Sequence, residues 1–159
     1  MGSIYFKNCP IKNGSAYQRS TIPGTMPRKT LDESGNQVDR PIKKLNTYFI
    51  YIQLIHNCDI ETTRIWIGGK AYRIAQEVVT HTPVVIEHSH PGALPDTLVK
   101  QTGNKVIRLQ PTEELQVKSN KMVRNKLGGG NVVIEYNNNS RSKYYIIKEI
   151  KKLAPLVLQ

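Results

Sequence analysis

After Thr47, apolar side chains recur at every second residue in short runs that stop at Gly, Asn or Pro; before it they do not. Residues 47–56 carry Tyr48, Ile50, Ile52 and Leu54 on one alternating face and Phe49, Tyr51 and Ile55 on the other. A run apolar on both faces predicts a central strand with cover on each side. Residues 63–67 lead into Gly68-Gly69, and 70–75 follow with Tyr72 and Ile74 at period two. Two such runs joined by residues that take positive φ without steric cost predict a hairpin.

Residues 83–88 predict a short strand led by Pro83, an allowed first position for proline. Gly103-Asn104 predicts a turn into a strand at 106–109 that Pro111 would close, with Leu115 and Val117 continuing the alternation weakly. Ser119 is placed to cap a short helix bearing Met122, Val123 and Leu127, and Gly128 to end it, with a helix starting at Thr112 as the alternative. Residues 132–136 and 143–150 predict a third hairpin around Asn137-Asn138-Asn139, because asparagine tolerates left-handed backbone. The last residues, 153–159, are apolar enough for a final strand or a docked tail. About seven short strands with this punctuation predict an all-β fold, expected as an antiparallel β-sandwich over 47–159 with one short helix.

Residues 1–46 hold Pro10, Pro23, Pro27 and Pro41 among Gly14, Gly24 and Gly35, with no sustained period. This predicts an extended, turn-rich N-terminal arm. Its eight Lys/Arg against three acids would make it repel itself unless it docks on something.

A formal charge of +11 over 159 residues raises the local concentration of any polyanion and says nothing about fold. No apolar run approaches the roughly 20 residues of a membrane-spanning helix, so no transmembrane segment is expected. Read as a native start, residues 1–8 lack the apolar stretch of a secretory signal and would leave the chain in the cytoplasm; Met-Gly-Ser is equally the form of an added leader. The two cysteines, Cys9 and Cys58, have no C-x-x-C spacing, which disfavours a zinc or thioredoxin-like site. One disulfide tying the arm to the domain and two free thiols both fit.

Candidate chemistry is sparse. His81, His88 and His90 fall within ten residues, with Glu87 or Asp96 as a further oxygen donor, a set able to hold zinc or copper; Pro91-Gly92 equally reads as a polar loop. Gly128-Gly129-Gly130 precedes a strand, whereas a phosphate cradle needs a following helix. Trp66 lies within a strand and is expected as a core anchor. With no G-x-S-x-G and no paired cysteine and histidine, no catalytic residue and no cofactor are expected. Residues 100–152 carry twelve Lys/Arg against four acids. Lys118, Lys121, Arg124, Lys126, Arg141, Lys143 and Tyr144 are the expected partner or polyanion contacts, and the tyrosines suit base stacking if that polyanion is a nucleic acid.

The texture of Tyr48-Phe49-Ile50-Tyr51-Ile52, then Ile65-Trp66-Ile67-Gly68-Gly69-Lys70-Ala71-Tyr72, then Thr82-Pro83-Val84-Val85 resembles small β-rich envelope lipoproteins of the Bacteroidetes type. That resemblance implies a periplasmic or outer-membrane-associated accessory protein, tethered through a lipidated Cys9 and a polar linker. It carries no catalytic residues across. The resulting expectation is a non-enzymatic envelope binding or scaffolding protein whose arm contacts a partner protein or larger envelope complex, with a nucleic-acid-binding module as the alternative.

Overall fold

The computed structural model describes residues 10–23, 29–39, 45–55, 58–88, 91–119, 121–126, 132–138 and 140–158. In chain order its strands begin with β1 (Ile11–Ile22), β2 (Lys29–Leu31), β3 (Gln37–Asp39) and β4 (Leu45–Leu54). The hairpin β5 (Glu61–Ile67) and β6 (Lys70–Val78) follows, then β7 (Val84–Ile86), β8 (Asp96–Val99) and β9 (Val106–Leu115). One short helix, α1 (Lys121–Lys126), precedes β10 (Val132–Asn138), β11 (Arg141–Ile147), β12 (Ile150–Lys152) and β13 (Leu156–Val157).

Nine strands make one sheet in the order β11-β10-β5-β6-β9-β4-β1-β12, with β13 also on β1. Its pairings are antiparallel except those of β12 and β13, which run parallel to β1. The order places β11 at one end and β12 at the other, yet only Lys148 and Glu149 separate them in sequence. Three Cα steps reach about 11 Å at most, whereas eight flat strands would hold their edges about 34 Å apart. The sheet therefore curls until it is nearly a barrel. The fold is all-β, as expected, and one nearly closed sheet stands in place of the seven-strand sandwich: period-two alternation says which faces are buried, and one sheet covered inside and out gives the same pattern as two sheets face to face.

The interior is aliphatic. Ala16, Ile50, Ile52, Leu54, Ile65, Ile67, Ile107, Leu109, Val132 and Ile134 are buried in it, with Tyr48, Tyr72 and Tyr145 packed partly buried at its margins. Burying each such aliphatic side chain is worth roughly 1.5–3 kcal/mol. Two patches of the outer face are also covered. Tyr17, Tyr51 and Val106 lie with Leu98 and Val99 of the small β7–β8 sheet, and the Tyr17 hydroxyl donates to the Leu98 carbonyl at 2.8 Å. Trp66, Ala71 and Val133 lie with Val123 of α1. The first of these covers explains why β4 is apolar on both faces.

The expected arm is corrected as well. Ile11–Ile22 is a twelve-residue strand that pairs with β4 from Ile11↔Leu54 to Thr21↔Leu45 and holds β12 and β13 on its other side. A boundary at 46/47 would cut through β4. Its composition hid it: Gly14 faces the Tyr145 ring and Ile147 at distances that leave no room for a Cβ, so this stretch needs small residues where strands usually show β-branched ones. Smaller differences follow the same physics. β9 continues through Pro111, which sits at a register shift opposite Ile74. In the last hairpin Ser140 is left-handed, at φ 63°, and Asn139 lies outside the described residues.

Candidate functional site

The turn between β2 and β3 is built by one side chain. Asp32 Oδ1 accepts the Ser34 and Asn36 amides at 2.9 and 2.7 Å, while its carbonyl accepts the Gly35 amide at 3.0 Å and its amide donates to the Asn36 carbonyl at 2.9 Å. Gly35 supplies the positive φ, 79°. The two strands form their own two-stranded sheet within the connection from β1 to β4. Cross-strand neighbours share a face, so Leu31 with Gln37 occupies one side of this ribbon and Thr30 with Val38 the other. Leu31 is 70% exposed and Val38 42%. Each side of the ribbon thus offers water one aliphatic residue. Sequence reasoning missed the hairpin by folding it into the arm; the signal was there in Asp32-Glu33-Ser34-Gly35-Asn36, a turn flanked by Leu31 and Val38.

A second feature is the β7–β8 sheet lying on the outer face. His88 Nε2 and Asp96 Oδ2 stand 2.8 Å apart, with the His88 side chain 11% exposed and that of Asp96 50%. Of the expected metal set, the structure brings His88 to Asp96 and leaves His81 exposed before β7; His90 lies outside the described residues. Among the described residues no three His, Cys, Asp or Glu side chains converge.

The expected basic contacts divide. Lys118, Lys121 and Arg124 are exposed around α1, which covers the outer face of the sheet through Val123. On β11, Tyr144 turns to that same outer face and packs half-buried against the Trp66 cluster, while Arg141 and Lys143 alternate with it and share the side of Tyr145 and Ile147. Lys126 belongs to α1, but its side chain lies outside the described set, as does the Gly128-Gly129-Gly130 segment. Trp66 is the expected core anchor at 2% exposure.

On the outer face of β1, β4 and β9, Arg19 and Arg108 both approach the Phe49 ring, at 5.4 and 5.9 Å from its centroid. Burial raises the Tyr51 phenol above its ordinary range, and the Arg108 charge partly offsets that. Cys58, packed against the interior cluster, is disulfide-bonded, and the one other cysteine in the sequence, Cys9, lies outside the described residues. Among the described residues no helix is long and apolar enough to cross a membrane.

Comparison with known protein families, curated proteins and solved structures found no match to this chain.

Proposed function

We propose that this is a non-enzymatic binding or scaffolding protein of the cell envelope that contacts a partner protein through the β2–β3 hairpin. The observation that carries the reading is Leu31, 70% exposed beside a turn that Asp32 holds rigid. A two-stranded ribbon is marginal by itself in water. Its turn is nevertheless ordered and each of its faces shows an aliphatic side chain, which suits insertion between elements of another protein, where both faces become buried. The envelope half of the proposal draws on the Cys58 disulfide, a bond that persists in oxidising compartments. Arg141 and Lys143 share one side of β11 while Lys118, Lys121 and Arg124 stand around α1 on the other face of the sheet, which gives less support to a single nucleic-acid groove.

A photo-crosslinking residue placed at position 31 of the full chain, in its native cells, tests this. One discrete protein adduct is expected at position 31 and none at the exposed position 113 of β9. No adduct at 31, or the same adducts at both positions, overturns the proposal.

A further inference from the structure

The outer face of β1, β4 and β9 gathers positive charge without compensating it. Arg19 reaches from β1 and Arg108 from β9, and the Phe49 ring of the intervening β4 holds both guanidinium groups within 6 Å of its centroid, at 5.4 and 5.9 Å. Cation–π attraction fixes where the two groups sit and leaves their charge undiminished. Neither arginine has a carboxylate within 4.0 Å among the described residues. Arg19 Nε is buried and has no acceptor there either. Two guanidinium groups on one face without a carboxylate beside them suit an anion that their terminal N–H donors can meet.

Register says what kind of acceptor. Glu77 is the direct cross-strand neighbour of Arg108, but it is exposed and makes no ion pair with it. Its single charge also could not neutralise both arginines. A carboxylate from elsewhere has the same shortfall, whereas a phosphate monoester carries roughly −1.5 to −2 at neutral pH, inorganic phosphate reaches its dianion just above it, and both have several oxygens for forked N–H donors. We propose that Arg19, Phe49 and Arg108 form a binding site for a dianionic phosphate group. The terminal N–H groups of the two guanidiniums donate to the phosphate oxygens beside the Phe49 ring. Free phosphate and a terminal phosphomonoester on a larger molecule share this chemistry.

The test is a titration of the full chain at low ionic strength, followed through the Nε–Hε resonance of Arg19. Inorganic phosphate is expected to shift that resonance saturably, at or below roughly 10 mM. Arg108→Gln is expected to weaken the response about tenfold, and Glu77→Gln, which removes a competing charge, to strengthen it. Glycerol phosphate saturating at lower concentration than inorganic phosphate assigns the site to a phosphomonoester; the reverse order assigns it to the free ion. Dimethyl phosphate, a monoanionic diester, is expected to bind more weakly than either, and equal binding would point to a nucleic-acid backbone and overturn the dianion assignment. The proposal also fails if unmodified protein shows no saturable shift, or if sodium chloride of matched ionic strength moves the resonance equally.

Discussion

Gly14 and Tyr145 meet across the seam where the sheet nearly closes: a Cβ built on Gly14 would stand 2.9 Å from Tyr145 Cε1 and 3.2 Å from Ile147 Cδ1. Gly14 lies in a strand at an ordinary φ, so backbone freedom alone would favour alanine there. The clash outweighs that gain, because the Cβ would press on Ile147 as well as on the ring, and Ile147 is buried in the core. Gly14→Ala is expected to lower unfolding free energy by about 1–3 kcal/mol. The exposed neighbour Lys12 provides the control, with Lys12→Ala staying within about 0.5 kcal/mol. Urea denaturation of the two variants measures both.

Cys58 is disulfide-bonded, and a sulfur in that bond cannot also carry a thioether lipid. Since the sequence holds two cysteines, the untreated chain is expected to have an intact mass two hydrogens below the reduced one and no acyl mass. Reduction, or Cys58→Ser, is expected to cost about 2–4 kcal/mol of stability. A lipidated species in mass spectra of protein taken from membranes would contradict this and restore the tether that the envelope-lipoprotein resemblance implies.

Five phenols respond to alkali through the fold. Burial raises the pKa of Tyr48, Tyr51, Tyr72, Tyr136 and Tyr145 above the ordinary value of 10.0, with Tyr72 adding to the effect at Tyr48 and the Gly14 amide opposing it at Tyr145. A raised phenol keeps its proton in the folded chain at a pH where the unfolded chain has released it. Below the unfolded value the two states bind equal protons and stability is level. As pH climbs through that value toward the folded ones, the unfolded state binds fewer protons and stability falls. Urea midpoints are therefore expected to be flat up to about pH 9 and to decline above about pH 10. Tyr51→Phe should make the decline shallower, and an unchanged slope would remove Tyr51 from the account.

Legibility followed side-chain bulk. β4, β5, β6 and β10 could be read because large apolar residues at period two mark both the strand and its buried faces. The Gly68-Gly69 turn was equally plain, and both residues take positive φ. β1 could not be read, since Gly14 faces Tyr145 and Ile147 too closely for a larger residue, and the consecutive polar pairs Lys12-Asn13 and Gln18-Arg19 break the period-two pattern. The parallel addition of β12 and β13 to β1 was hidden for a different reason: alternation names faces and never partners. At the sites, His88 with Asp96 was legible as a pair eight residues apart, whereas the meeting of Arg19, Phe49 and Arg108 depends on three strands whose order only the sheet reveals.

Membership of β1 in the sheet decides the rest, because it turns a loose arm into a barrel wall and leaves β2–β3 as the segment free to dock. Amide hydrogen exchange on the isolated full chain measures it directly. Residues 16–19 are expected to be protected to the same degree as 49–52 of β4, with Thr30 and Val38 exchanging orders of magnitude faster. Exchange at 16–19 as fast as at Thr30 and Val38 would contradict the account.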